Sequence, residues 1–334
     1  MKKNRVELPI FEPLYNTYQH HTPGTAIITE NPSITNWYYE RIFILFCTRK
    51  FLHGFSSPEI NIVDATWKVN PYFDKKTYNM QFLGGYVHRI IQNIIDAGYY
   101  VYFDGIDDYY MEGKSWYNER HFFHNGCICG YDRENKTYCI YAYDKNWVIQ
   151  KFWMSQKCFE KGRKSAFKNE KYGNICAIKV NDEVITFSPH IALNKISEYL
   201  DSTIEKYPED SEGMVRGIVV HDYIVKYIEM LYNGTYPYEK KDRRVFRLIW
   251  EQKKVLIQTI RLIESNLELD NSISKAYETV VREADTCRML YASHCIKRRD
   301  SVLPIIQKKL LTLKALEQDL LEKLITKAKG EKTP

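Results

Sequence analysis

A histidine and an aspartate lie where a β-hairpin could bring them together. His124 stands in a run of aromatic and β-branched residues, Asp144 ends a second such run, and the polar residues 132–136 lie between them. This pattern predicts two antiparallel strands joined by a turn. Cross-strand neighbours place their side chains in contact, so the imidazole could meet the carboxylate. Such a pair is typical of a general base and the group that orients it.

Two features leave this assignment open. His121 lies three residues before His124. Side chains alternate along a strand, so the two imidazoles are expected on opposite faces, and either one could face a cleft. Asp144 is also a residue type that commonly forms turns without any part in chemistry. We expect His124 to be the base and Asp144 to be its partner.

The start of a helix is a favourable place for a thiol nucleophile that works with such a base, because the helix dipole stabilises a thiolate. Asn31-Pro32-Ser33 predicts such a start, because proline suits the first helical turn and Asn or Ser can cap it. Apolar residues with a helical period follow as far as Gly54. No cysteine stands at the start of this helix, and Cys47 is expected about three turns further on, inside the core.

Three alternatives follow from the missing cysteine. Ser33 could act as the nucleophile, although a serine needs stronger activation than a thiol. A different path of the N-terminal segment could bring another thiol, such as Cys127 or Cys129, to the site. Otherwise the domain binds a ligand without chemistry, or it uses the histidine for acid–base work alone.

Three residues upstream of the hairpin are predicted to contact a substrate. Gln19 could supply an amide donor to an oxyanion. His21 follows His20 just before the predicted central helix, and it could reach the same cleft. Trp37 lies on that helix. All three would contribute to binding, while the base would carry the proton transfer.

A cluster of acidic residues follows the predicted strand 99–103. It contains Asp104, Asp107, Asp108 and Glu112. No histidine or cysteine stands at ligand spacing beside them, so a solvated loop is expected here rather than a metal site. The sequence predicts neither a metal nor a cofactor.

The remaining pattern predicts an α+β protein. A helix is expected over 83–97 and further strands over 146–152 and 175–187. Ser188-Pro189 is a helix cap followed by a first-turn proline, and it marks a change of character. Helices are then expected over 189–206, 216–232, 242–266, 272–297 and 301–328. The predicted divisions are an irregular segment over 1–14, an α+β domain over 15–187, a helical domain over 188–328 and a disordered tail over 329–334.

The order helix, helix, strand, histidine-bearing strand, turn and aspartate-ending strand is that of a papain-like core. The stretches 97–103, 121–132 and 138–144 resemble the butirosin-biosynthesis-type (BtrH-like) acyltransferase N-terminal family, which is similar to bacteriocin-leader cysteine peptidases. Asp242-Arg243-Arg244 and Glu251-Gln252-Lys253 look like the helical part of that family. The cysteine of the family would stand at about 31–37, where this sequence has none.

The resemblance implies a papain-like N-terminal domain followed by a helical C-terminal domain. It implies transfer of an acyl group from a carrier-protein thioester to an amine, in the biosynthesis of nonribosomal peptides and related antibiotics. His124 would then be the base and Asp144 its orienting partner. An inactive relative that binds a carrier protein, a peptide or a metabolite is the alternative, and a cysteine-type peptidase is a third.

Composition limits the partners. The net charge of +6, from 48 basic and 42 acidic residues, is too small and too spread to predict a nucleic-acid binder. An acyl or peptidyl carrier protein, or a small acyl donor with an amine acceptor, is compatible with it. No apolar run approaches the ~18 residues of a membrane span, and the N-terminus lacks the apolar stretch of a signal peptide, so a cytoplasmic protein is expected. The apolar stripe over 302–324 predicts a core face or a homodimer interface.

Overall fold

The chain folds into an α+β protein. The structure, a computed structural model, describes residues 4–28, 31–54, 56–171, 174–204 and 213–330, except for the side chains of residues 32, 33, 81, 203 and 204. The strands are β1 (Arg5–Glu7), β2 (Leu45–Thr48), β3 (Asn61–Ile62), β4 (Phe73–Asn79), β5 (Tyr100–Asp107), β6 (Phe123–Asp132), β7 (Thr137–Tyr143), β8 (Ile149–Ser155), β9 (Asn174–Val180), β10 (Thr203–Ile204) and β11 (Met214–Arg216). The α-helices are α1 (Thr22–Ile28), α2 (Pro32–Arg41), α3 (Met80–Leu83), α4 (Val87–Asp96), α5 (Gln156–Lys168), α6 (Pro189–Asp201), α7 (Val220–Tyr232), α8 (Val245–Asn266), α9 (Ser272–Lys297) and α10 (Leu303–Gly330).

The chain divides into two compact units. The first is formed by residues 1–34 and 66–184, and the second by residues 35–65 and 185–334. These units differ from the predicted domains 15–187 and 188–328 in the position of residues 35–65. That segment belongs to the second unit, where β2 pairs with β11 and Gln252 of α8 donates a hydrogen bond to the carbonyl oxygen of Phe43 at 2.9 Å.

The predicted central helix is wrong in its second half. The helix α2 ends at Arg41, and the strand β2 follows it. Cys47 pairs with Val215 of β11 and is fully buried, which confirms its place in a core. Residues 42–46 are consecutively apolar, so their pattern suits a strand buried on both faces as well as a buried helix. In the structure Leu45 and Phe46 of this run belong to β2, which pairs with β3 and β11.

An antiparallel sheet forms the centre of the first unit. Its strand order is β4-β9-β5-β6-β7-β8, and β1 pairs with β6. The segment 1–14, predicted to be irregular, therefore contains an edge strand. The predicted hairpin is confirmed, because β6 and β7 pair directly with Ile128 opposite Ile140. Buried residues of α4 and α5, such as Ile91 and Phe159, share one apolar core with this sheet.

The end of β5 departs from regular pairing. The register between β5 and β6 shifts between Phe103 and Ile106, and Gly105 has a φ of +71°, which favours glycine over other residues. The helix α5 packs closely on this end, because a Cβ on Gly162 would lie 2.9 Å from the carbonyl oxygen of Asp107. The bulge and the close helix together bury the end of the strand. Asp107 is 0 % exposed as a result.

The second unit contains the helices α6 to α10 and a small sheet of order β10-β11-β2-β3. The predicted helices over 216–232, 242–266, 272–297 and 301–328 are confirmed within a few residues at their ends. The helix predicted over 189–206 ends at Asp201, and residues 205–206 lie outside the described residues, as do residues 331–334 of the predicted tail. Among the described residues, no helix is both long enough and apolar enough to cross a membrane.

One ion pair lies inside this helical unit. The ammonium of Lys253 is 2.6 Å and 2.8 Å from the two carboxylate oxygens of Glu317, and both side chains are fully buried. The hydroxyls of Tyr199 and Tyr277 donate hydrogen bonds to the same carboxylate. Burial lowers the pKa of Lys253, and the charge of Glu317 opposes that shift. Four helices therefore meet at one carboxylate.

Removing Glu317 is expected to destabilise the second unit. The variant Glu317→Ala leaves the ammonium of Lys253 buried without its counter-charge, which costs about 3–5 kcal/mol of unfolding free energy. Glu322 lies on the same helix but is exposed, so Glu322→Ala serves as the matched control. Urea unfolding followed by circular dichroism measures both variants. Equal unfolding midpoints for the two would contradict this role of the ion pair.

Candidate functional site

The candidate site lies where β5 ends beside the start of β6. Ile106 pairs with His124, and Asp107 pairs with Phe123. Asp108 follows directly, and its carboxylate oxygen lies 3.3 Å from Nδ1 of His124. In the tautomer that donates this hydrogen bond, Nδ1 carries the proton and Nε2 carries the lone pair of a base. The His124 side chain is 23 % exposed, so solutes can reach it.

The carboxylate of Asp108 is buried beside a lysine. Nζ of Lys114 lies 3.3 Å from Oδ1 of Asp108, and neither side chain is more than 1 % exposed. This distance is that of an ion pair, although the atoms are not aligned as a hydrogen bond. Burial lowers the pKa of Lys114, and the negative charge of Asp108 opposes the shift. The pair thus keeps a carboxylate in place behind the imidazole of His124.

A second histidine contacts the neighbouring aspartate. Nδ1 of His121 lies 2.7 Å from the carboxylate of Asp107, and its ring stacks on that of Tyr109. The same carboxylate accepts hydrogen bonds from the backbone N–H of Phe122 at 3.3 Å and from the hydroxyl of Ser165. Because the His121 side chain is 55 % exposed, it lies much further into solvent than that of His124.

The expected pairing of His124 with Asp144 is not found. The carboxylate of Asp144 accepts hydrogen bonds within its own turn, from the backbone N–H of Asn146 at 2.8 Å and of Val148 at 2.9 Å. The side-chain amide of Gln150 donates a third at 2.6 Å. Burial acts in the opposite direction, but these hydrogen bonds lower the pKa of the Asp144 carboxyl. Asp144 therefore organises the turn before β8, as aspartate commonly does.

Gln19 lies at the hairpin, but its amide is engaged there. Nε2 of Gln19 donates to the backbone carbonyl and to the side-chain oxygen of Asn125, and Oε1 accepts from the backbone N–H of Tyr143 at 2.5 Å. These partners occupy the amide that the sequence suggested as an oxyanion donor. Gln19 instead ties the N-terminal segment to both strands of the hairpin, one residue away from His124.

The other predicted binding residues lie in different surroundings. His21 is 1 % exposed at the start of α1, and burial, with the charge of His20, lowers its pKa well below the usual value. Trp37 belongs to the second unit and packs edge-on against Tyr38 at 5.1 Å. Ser33 lies in the first turn of α2, but its side chain is outside the described residues.

The thiols of Cys127 and Cys129, considered as nucleophiles, are buried, and so is the thiol of Cys47, which was expected in the core. Burial raises the pKa of Cys127, and it raises the pKa of Cys47 to about 12. The thiol of Cys129 lies 3.5 Å from that of Cys139, inside the sheet. A reactive cysteine is normally a partly exposed thiolate in positive surroundings. These thiols have the opposite environment.

Asp107, Asp108 and Lys114 are the site residues that the sequence pattern did not identify. The expectation of a solvated acidic loop is wrong for Asp107 and Asp108, which are no more than 1 % exposed, although Asp104 is exposed. One signal was present in the sequence: the two aspartates lie four and five residues after Phe103, the end of a predicted strand of aromatic and β-branched residues. Their depth depends on the bulge at Gly105, which alternation along the strand does not reveal.

A comparison of the sequence with models of known protein families finds no match, and a search of curated proteins finds none either.

Within the part of the chain that the structure describes, no group of three or more His, Cys, Asp or Glu side chains could hold a metal ion.

Removing the buried carboxylate of Asp108 is expected to lower the unfolding free energy by an amount that depends on pH. Asp108→Asn leaves Lys114 buried without a counter-charge, which costs about 3–5 kcal/mol of unfolding free energy near pH 7. The pKa of Lys114 is already lowered and would fall further in the variant. The folded variant then loses its proton at a lower pH than the unfolded chain, so its stability rises with pH and the deficit shrinks toward alkaline pH.

Urea unfolding at pH 7 and at about pH 9.5, just below the ordinary lysine pKa, measures this change. The exposed Asp104 offers a control, since Asp104→Asn alters charge without uncovering a buried ammonium. If the loss of unfolding free energy in Asp108→Asn stayed constant over this pH range, it would contradict the role assigned to Lys114.

Proposed function

We propose that this chain catalyses acyl transfer, with His124 as general base and Asp108 as the group that orients it. The contact between Nδ1 of His124 and the buried carboxylate of Asp108 carries the proposal. An imidazole held in this way presents Nε2 as the base. The acceptor would be an amine, and the acyl donor a thioester such as that of a carrier protein.

The reaction proceeds without an acyl-enzyme intermediate. The amine nitrogen attacks the thioester carbon while Nε2 of His124 takes a proton from that nitrogen. The C–N bond forms, the C–S bond breaks, and the imidazolium gives the proton to the departing sulfur. The negative charge of Asp108 stabilises the imidazolium during this exchange. Buried thiols are not needed in this scheme.

Aromatic neighbours support the orientation of the base. Phe122 packs edge-on against the imidazole of His124 with ring centres 5.2 Å apart, and Tyr143 lies nearly parallel to it at 6.4 Å. The hydroxyl of Tyr143 is itself held by the backbone carbonyl of Thr17 at 2.6 Å. A base with few accessible rotamers loses less entropy when it meets its substrate.

The resemblance to the butirosin-type family supports an acyl group on a carrier protein as the donor. Membership of that family stays a prediction, because no family model matches. In this scheme His124 is the base expected of a papain-like domain. Asp108 takes the place of Asp144 as the orienting carboxylate, and no cysteine acts as a nucleophile.

A non-catalytic binding protein is the second candidate function. The burial of Cys127 and Cys47 and the engaged amide of Gln19 favour it, because a papain-like enzyme uses an accessible thiol and a free amide donor. Such a protein would hold the same acyl carrier protein, a peptide or a metabolite, and His124 would only bind it.

Replacing His124 separates the two candidates. With an S-acyl-N-acetylcysteamine thioester and a primary amine, His124→Gln is expected to lower the rate of amide formation about 100-fold or more, the usual contribution of a general base. His121→Gln is the matched control, since this exposed imidazole contacts the neighbouring aspartate, and its rate should stay within a fewfold of the wild type. Release of the thiol measures the rate.

Two results would contradict acyl transfer by this route. An equal loss in both histidine variants would show that His124 has no special part. The binding protein would be favoured instead if the wild type and His124→Gln both showed only the background rate of amide formation while a ligand raised the melting temperature. A covalent acyl adduct seen by mass spectrometry would contradict the direct mechanism.

A further inference from the structure

A pocket lies in the first unit on three neighbouring strands. Tyr102 of β5 pairs with Cys176 of β9, and Cys176 pairs with Thr77 of β4. Partners in an antiparallel ladder point to the same face, so these three side chains form one row across the sheet. Trp67 packs against the end of the row, with its ring centre 5.1 Å from that of Tyr102. The cavity above the row has a volume of about 460 Å³.

The floor and the rim of this pocket differ in polarity. Trp67, Tyr102 and Cys176 are each less than 7 % exposed and form an apolar, mainly aromatic floor. The rim is polar and exposed, and it consists of Lys68, Lys75, Thr77, Asp104 and Asn174. An aromatic floor with a few placed polar groups is the usual composition of a small-molecule site, and the volume lies within the usual range of about 300–1,000 Å³.

The charges of the rim are divided between its two sides. Lys75 belongs to β4, and its ammonium donates to the backbone carbonyl of Lys68 at 2.9 Å. Burial raises the pKa of the Cys176 thiol on β9, and the positive charges of Lys75 and Lys68 oppose that rise. On the β5 side, burial raises the pKa of Tyr102, and the negative charge of Asp104 adds to the rise. Lys68 and Lys75 therefore outnumber the single carboxylate of the rim, and Lys75 on β4 lies across β9 from Asp104 on β5.

Lys68 is the cation best placed for a ligand. Nζ of Lys75 already donates to the backbone carbonyls of Lys68 and Asn70 at 2.9 Å each. Within the described residues, Lys68 forms no ion pair, and its ammonium lies 6.0 Å from the ring centre of Trp67. An anionic group bound at the Trp67 edge of the pocket would meet this ammonium.

We propose that the pocket binds a small molecule composed of one flat ring and one carboxylate. The ring would lie on Trp67 and Tyr102, where aromatic surface is already desolvated. The carboxylate would pair with Lys68 and take the remaining donor of Lys75, on the side away from Asp104. Asp104 disfavours a second negative charge at the far end of the ring, which gives the ligand one orientation.

The pocket is connected to the proposed site through one residue. The side-chain amide of Asn125, which follows His124, donates to the Tyr102 hydroxyl, and its oxygen accepts from Gln19. The proposed binding of a flat ring with a carboxylate depends only on the geometry of the pocket. That this ligand is the acyl acceptor or donor of the reaction rests on the proposed function.

Fluorine NMR titration of the full chain tests the binding directly. 4-Fluorobenzoate should bind, and 4-fluorobenzylamine, which has the same ring and the opposite charge, should bind at least tenfold more weakly. Lys68→Gln should weaken 4-fluorobenzoate about tenfold, the value of one charge-assisted hydrogen bond. Lys76→Gln is the matched control, because Lys76 points to the opposite face of β4 and contacts Tyr99.

The outcomes separate this proposal from the catalytic one. Unchanged 4-fluorobenzoate binding in His124→Gln, with weaker binding in Lys68→Gln, supports the pocket whatever the activity of the chain. The proposal is overturned if the two probes bind equally, if Lys68→Gln and Lys76→Gln have the same effect, or if 4-fluorobenzoate does not bind. A tighter complex with Asp104→Asn would further support the assigned orientation.

Discussion

The ion pair between Asp108 and Lys114 is the interaction on which the candidate site depends. A carboxylate this deeply buried costs several kcal/mol in lost hydration, and a neighbouring ammonium recovers much of that cost. The pair fixes the position of the carboxylate at the end of β5. His124 on the adjacent strand then meets an acceptor that cannot turn away into solvent. The orientation of the imidazole follows from the burial of its neighbour.

The same end of β5 holds two histidine–aspartate contacts with different properties. Asp107 is satisfied by two backbone N–H groups, a hydroxyl and His121, so its contact resembles a structural hydrogen-bond cluster at the surface. Asp108 has fewer partners and a less exposed histidine. A base needs access to its substrate together with a fixed orientation, and His124 meets both conditions. The adjacent pocket on β5, β9 and β4 offers a separate surface for the ring of a small molecule.

Local patterns in the sequence predicted the helices and strands better than they predicted the contacts between side chains. The hairpin around His124 and the helices of the second unit follow from alternation, periodicity and caps, which depend on near neighbours. The contact of His124 with Asp108 depends on a bulge at Gly105 and on the close approach of Gly162, and neither has a periodic signal. The apolar run 42–46 suits a helix and a buried strand equally, and the pairing of β2 with the distant strands β3 and β11 decides for a strand at Leu45 and Phe46. Gln19 was expected near the hairpin, but its hydrogen-bond partners could not be read from its type.

The central claim is that Asp108 holds His124 with the proton on Nδ1 and the lone pair on Nε2. Long-range proton–nitrogen NMR of protein labelled with ¹⁵N-histidine reads this tautomer directly, with His124→Gln identifying the signal. The account predicts the Nδ1-protonated form at a pH where the ring is neutral, and its loss in Asp108→Asn. A predominantly Nε2-protonated His124 in the wild-type protein would contradict it.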